Sequence, residues 1–364
     1  MADAATQLAR ARIGLARPGR IAGRWKLLYI RDQFVSEAPF AADRGSTMRK
    51  LFMFSGQGSQ YHEMGAELYA SEPVFRRQMD ELDEVAAVLL GTSITGLLYR
   101  QGRRKGEPFI GTRLTGAAIF MVEVALVRTL QARGVQPDAV LGASLGTMAA
   151  ASVAGCLQPH EALRSVIEKA GILETHCPPG GMMAILADPQ LYLNEPELHD
   201  RADLAGISSS SQFVVAAPAA VLPALGAWLA KREVAFQVLP VAQAFHSRWI
   251  DSARSACEAH FAGLPLQPAK LPLFCCAAQG PIRALSAAHL WRIIREPIHL
   301  DRTVAALEAQ GPWHYIDAGP GSSLATLLKY RLDGCSGSRT SGVLNPFGGE
   351  LRHLEQAVQA AGSH

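Results

Sequence analysis

Charge is scarce in this chain: Asp, Glu, Lys and Arg make up only 18% of its 364 residues, against 49% hydrophobic ones. That composition excludes a disordered chain, and the lack of any collagen-like period or dense cysteine framework excludes fibrous and disulfide-stapled classes. A net charge of +3 is too close to neutrality for nucleic-acid binding to be the main task. The six cysteines (Cys156, Cys177, Cys257, Cys275, Cys276, Cys335) form no CxxC pair and show no metal-ligand spacing with histidine. Cys275 and Cys276 sit in an apolar run, so these thiols read as reduced core residues of a cytoplasmic protein, and no metal is expected. No uninterrupted stretch of about 18 apolar residues occurs, which disfavours a membrane span. The N-terminus has arginines but lacks the apolar segment and small-residue cleavage site of a secretory signal.

What is present is a pattern of short apolar runs alternating with longer amphipathic stretches, which predicts a parallel sheet covered by helices. Residues 1–47 are basic and irregular, and are read as an extension outside that fold, or as sequence upstream of the true start. Leu51–Phe54 then gives a strong strand signal. Ala117–Arg133 is spaced as a helix, Ala139–Leu141 as a buried strand, and Leu145–Ala154 as a second helix. Gly181–Leu186, Gln212–Ala217 and Ala235–Val241 predict strands, with a helix over Ala219–Lys231 and Ser208–Ser211 as a loop. The expected organisation is α/β: a large subdomain over 48–177 and 245–350, a small α+β subdomain over 178–244, and a C-terminal tail over 351–364.

Between the Ala139–Leu141 strand and the helix that follows lies Gly142-Ala143-Ser144-Leu145-Gly146. A GxSxG segment in that setting is a nucleophile elbow: small flanking residues permit a strained turn that lifts the serine hydroxyl clear, although a plain glycine-flanked turn has the same letters. The helix N-terminus behind it favours a developing negative charge. Ser144 then needs a base. Of the eleven histidines, His246 in Gln243-Ala244-Phe245-His246-Ser247 follows a predicted buried strand and is flanked by small or apolar residues. Acyl chemistry also needs two donors for an oxyanion. The Leu145 N–H supplies one, and Gln57, in the glycine-rich loop Phe54-Ser55-Gly56-Gln57-Gly58-Ser59-Gln60, the other.

These segments, with Gly319-Pro320-Gly321, occur in an order that resembles malonyl-CoA:acyl-carrier-protein transacylases and polyketide synthase acyltransferase domains, over roughly Leu51 to Pro346. The resemblance implies an α/β-hydrolase-like large subdomain with a ferredoxin-like small one inserted before the histidine. It implies Ser144 as the acylated nucleophile, His246 as its general base, and Gln57 and Leu145 as the oxyanion hole. The histidine would be oriented by a backbone carbonyl, placed by the family pattern at Ile293, where Asn or Gln is usual; Asp317 and Asp251 are weaker candidates for a third member. No tightly bound cofactor is implied. The substrate would be a phosphopantetheine or CoA thioester and the partner an acyl carrier protein, with the enzyme acting as a monomer and touching neither nucleic acid nor membrane.

Three departures from the family pattern bear on the acyl group. The arginine that pairs with a malonyl carboxylate falls at Lys169, which keeps the charge but loses the bidentate fork. Ala143 replaces the histidine before the serine, and Gly116-Ala117 replaces Gln-Pro. Gln243 also alters the first position of the quartet that ends Ala244-Phe245-His246, so Phe245 alone carries little about selectivity. The expectation is an enzyme of polyketide biosynthesis preferring non-malonyl acyl groups. It resembles stand-alone, trans-acting acyltransferase-like acyl hydrolases, and would pass the acyl group to water or to a carrier protein. Ordinary malonyl loading and a catalytically silent carrier-binding module are the alternatives. Basic segments Arg100–Lys105 and Arg292/Arg295 are candidates for docking an acidic carrier protein.

Overall fold

A computed structural model describes residues 48–100, 102–278, 280–332 and 336–362. The expectation for 1–47 lies outside the described residues. In chain order the strands are β1 (Arg49–Phe54), β2 (Ala139–Gly142), β3 (Gly180–Ile185), β4 (Asp203–Ser209), β5 (Gln212–Pro218) and β6 (Phe236–Val238). There follow β7 (Leu273–Cys275), β8 (Gly280–Ile282), β9 (Ile298–His299), β10 (Trp313–Asp317) and β11 (Arg339–Gly342).

Six strands form the larger sheet in the order β11-β10-β1-β2-β7-β8. All neighbours are parallel except β7 and β8. Leu51–Phe54 are wholly buried, as a central parallel strand with helices on both faces requires. Phe54 registers with Gly142, so β1 and β2 end side by side and their following loops open on the same edge. In such sheets ligands bind at the carboxyl ends of the strands.

Helix Thr112–Ala132 crosses between them and starts five residues earlier than its spacing predicted. It is long and apolar enough to cross a membrane by length and composition, but 83% of its apolar window is buried inside the protein. Cys156, Cys257, Cys275 and Cys276 are buried and free, and Cys177 is free and half-buried.

The second sheet has the order β6-β3-β5-β4-β9. Its first four strands pair antiparallel with one another, in the ferredoxin-like arrangement. Three features differ from the expectation. β4 went unpredicted, and Ser208 and Ser209 belong to its end rather than to a loop. β9, from outside 178–244, pairs parallel with β4 through Gly206 and Ile298, so the small sheet extends to a segment just after helix Ala287–Arg295. Residues expected as a tail instead form helix Glu350–Gly362, with Leu354 and Ala357 buried. It is anchored by the Glu350 carboxylate, which accepts from the Gly65 and Glu67 amides at 3.0 Å each.

Candidate active site

β2 ends in the Ser144 turn, and backbone close approach explains both of its glycines. A Cβ on Gly142 would stand 2.2 Å from Thr147 Cα, and one on Gly146 would stand 2.2 Å from the Phe54 carbonyl oxygen. Any side chain there would push the turn off the sheet. Ser144 itself takes φ of 54°, in the left-handed region that a non-glycine residue adopts only when its surroundings enforce it. Helix Gly146–Val153 follows directly, buried over most of its length.

The Ser144 hydroxyl lies 2.8 Å from His246 Nε2. His246 also has positive φ, at 60°, and its own N–H donates to the Ile294 carbonyl at 3.0 Å. Its Nδ1 lies 2.7 Å from the Glu296 carbonyl oxygen. A carbonyl only accepts, so Nδ1 carries the proton and Nε2 is left to accept from Ser144.

The orienting carbonyl is therefore that of Glu296, not Ile293. The reason is local: Pro297 forces the preceding residue out of the helical region, and Glu296 sits extended at φ −79°, ψ 151°. Its carbonyl leaves the ladder of helix Ala287–Arg295 and reaches the imidazole, while the Ile293 side chain lines a cavity beside Ser144. Neither aspartate touches the histidine. Asp251 pairs with Arg295, Oδ2 to NH2 at 3.2 Å, and buried Asp317 accepts from the Gly319 and Ala325 amides at 2.8 and 2.9 Å.

Burial, helped by the positive charges of Lys169 and Arg295, lowers the His246 pKa to about 4 against the pull of the Glu296 carbonyl. The imidazole is thus neutral over the physiological range, as a base must be. Gln57 and Leu145 border Ser144 from two sides, and among the described residues neither backbone N–H donates a hydrogen bond. The Gln57 side chain is turned away, its Nε2 donating to the Thr112 carbonyl at 3.0 Å and to Thr115 Oγ1 at 3.2 Å.

A cleft of about 130 Å³ opens over Ser144 and His246, bordered by Gln57, Ala143 and Phe245 on one side. Met182, Ala205, Gly206, Ile207 and Ile298 supply the other wall, none of them foreseen from sequence. A second cavity of only about 10 Å³ runs from Ser144 past Leu145, Met148 and Val166 to Lys169. Lys169 is 5% exposed and, among the described residues, its ammonium makes no ion pair or hydrogen bond. Desolvation brings its pKa down to about 8. Gly116 is packed beneath this region: a methyl there would stand 3.3 Å from Val166 Cγ1 and 3.6 Å from Gln57 Nε2. Gln243 is buried but lies outside both cavities, its Oε1 accepting from the Thr112 hydroxyl.

Ser144 and His246 in contact, an elbow between β2 and a helix, and two free amides form an arrangement able to carry an acyl group on oxygen. Comparison with known proteins agrees in kind. Residues 51–353 match the family described as acyl transferase domain. The chain is 36% identical over 304 residues to the polyketide biosynthesis acyltransferase homolog PksD of Bacillus subtilis (strain 168), covering 84% of this chain and 94% of that one. It is 37% identical over 306 residues to the homolog BaeD of Bacillus velezensis, with the same two coverages. Among solved structures, the acyl transferase domain of SpnD in complex with 2-(pent-4-yn-1-yl)malonyl matches with a TM-score of 0.76 at 28% identity, covering 88% of this chain and 79% of that one. The chain accordingly belongs to the acyl transferase domain family, among the acyltransferases of polyketide biosynthesis.

Proposed function

We propose that the protein forms an acyl ester on Ser144 from an acyl-carrier-protein or acyl-CoA thioester and releases it to water, or passes it to a carrier-protein thiol, in the cytoplasm. The single observation that carries this is the 2.8 Å contact between Ser144 Oγ and His246 Nε2 at the floor of an open cleft. His246 takes the hydroxyl proton as Oγ attacks the thioester carbonyl. The oxyanion is held by the Gln57 and Leu145 amides, the C–S bond breaks, and the imidazolium returns the proton to the departing thiolate. Water or a second thiol then repeats the sequence in reverse. Family members act on acyl thioesters and need no tightly bound cofactor.

The acyl group we assign is one without a free carboxylate, acetyl or longer. Lys169 occupies the carboxylate-pairing position, but its ammonium is a compact point charge without a fork. Burial already works against that charge, and the space between it and Ser144 is about 10 Å³, close to the room one water needs. A malonyl carboxylate would have to be desolvated there for a single imperfect partner, which typically costs more than it returns.

Incubation with acetyl- and malonyl-thioesters followed by intact-mass measurement tests this reading. An adduct on Ser144 from acetyl but not from malonyl is expected. Malonyl labelling would make the protein a conventional loading enzyme, and no labelling at all would make it a silent module. Following free acid from acyl-carrier protein over time, with and without a thiol acceptor, separates hydrolysis from transfer.

Lys169→Arg should raise malonyl acylation relative to acetyl by roughly tenfold, because the bidentate fork is restored beside the nucleophile. Competition between the two thioesters reads the ratio directly. An unchanged ratio in a folded variant moves the discrimination to Gly116 or Ala143.

A further inference from the structure

Helix Thr112–Ala132 carries one acid in its apolar middle, Glu123, which is fully buried and has no positive partner among the described residues. Its Oε1 accepts from the Ser55 N–H at 2.7 Å and lies 3.3 Å from the Ser55 hydroxyl, whose one proton is shared between this oxygen and Ser59 Oγ. Ser55 is the first residue after β1 and stands two positions before Gln57. From it a chain of hydrogen bonds runs through the loop: Ser55 Oγ to Ser59 Oγ at 3.0 Å, and Ser59 Oγ to the Gly56 carbonyl at 2.8 Å.

The loop thus fixed leans on the nucleophile turn. A methyl on Gly56 would stand 3.2 Å from both Ser144 Cβ and the Ala143 carbonyl, so a shift at Ser55 moves the Gln57 amide relative to Ser144. The same helix grips the loop a second time, two turns earlier, where Thr112 and Thr115 hold the Gln57 side chain.

We infer that Glu123 is a positioning residue: through its hydrogen bond to the Ser55 N–H, it sets the height of the Gln57 N–H over the Ser144 hydroxyl. This rests on the reading of Gln57 as an oxyanion donor. Desolvation raises the Glu123 pKa well above its ordinary value, and nearby Asp317, itself pushed up to about 6 by burial, adds to the shift. The carboxyl is used as an acceptor for an amide and a hydroxyl, which a side-chain amide can imitate but a hydrocarbon cannot.

The test measures single-turnover acylation of Ser144 by an acetyl thioester in the full chain, for Glu123→Leu and Glu123→Gln. The leucine variant should slow acylation by about 10- to 100-fold with KM little changed, since an amide displaced by even 1 Å loses much of its hold on the transition state. The glutamine variant should recover most of that loss, and the pH at which His246 titrates should stay put in both. If leucine prevents folding, Glu123→Asp, which withdraws the carboxyl by one methylene, is read in the same way. Acylation by the leucine variant within twofold of the parent overturns the inference, as does a glutamine variant as slow as leucine. Absence of any adduct on the parent protein would instead sink the acyl-serine reading, and this inference with it.

Discussion

Replacing Ser144 by alanine should remove the acyl adduct completely and lower thioester turnover on the order of 10⁵-fold, leaving the fold intact. The size follows from what the side chain alone supplies. Leu145 and Gln57 would still offer two amides, and the cleft over His246 would still hold the thioester, so the residual rate is that of solvent attack with oxyanion support. The fold should survive because Ser144 contributes no packing: alanine removes only a hydroxyl whose partner in the structure is His246 Nε2. It also keeps a Cβ in the same strained turn, so the positive φ costs about what it did before. Intact mass after incubation with an acetyl thioester, alongside a thermal midpoint, is the measurement. A variant that still acquires one acetyl group would place the nucleophile elsewhere, and one with full turnover would end the covalent scheme.

How far the site was legible depended on whether its chemistry sits in side chains or in backbone. Ser144 and His246 were readable because a hydroxyl and an imidazole announce themselves by residue type, and the elbow glycines by position. The orienting carbonyl was not, since every residue has one. The informative letter was Pro297, which ends the helix and frees Glu296.

The far wall of the cleft was missed for a related reason. β4, Asp203–Ser209, mixes glycine and serine with apolar residues, and its pairing with β5 is interrupted by two register shifts, so no clean alternation survives in the sequence. β9 is two residues long and carries no periodicity at all. Glu123 did leave a signal, a lone acid inside an apolar helix, whose meaning depended on Ser55 lying 68 positions earlier. Helix Glu350–Gly362 was expected only as a tail, although Leu351, Leu354 and Val358 recur at helical spacing.

Removing the imidazole is the second large expected effect. His246→Ala should lower acylation by roughly 10⁴-fold while leaving thioester binding nearly unchanged, because the ring moves a proton in the transition state and does little for the ground state. In the parent protein the rate should hold as pH falls from roughly 7 to 5, then drop as the ring protonates near pH 4, well below the ordinary histidine value. The sign follows from the cause: burial and the charges of Lys169 and Arg295 all penalise the imidazolium, so more acid is needed to form it. Lys169 is itself charged throughout that range, its pKa lying near 8. Lys169→Met therefore removes a repelling charge and should move the acid limb to higher pH, whereas burial, the larger cause, keeps it below the value of a free imidazole. Folding stability shares the dependence: between about 6.5 and 4 the unfolded chain takes a proton that the folded one refuses, so stability falls as pH falls through that window. Single-turnover acylation across pH for the two proteins decides the matter. A parent limb near 6.5 would mean the imidazole is not as dry as its burial requires, and a limb that Lys169→Met leaves in place would mean that ammonium does not act on it.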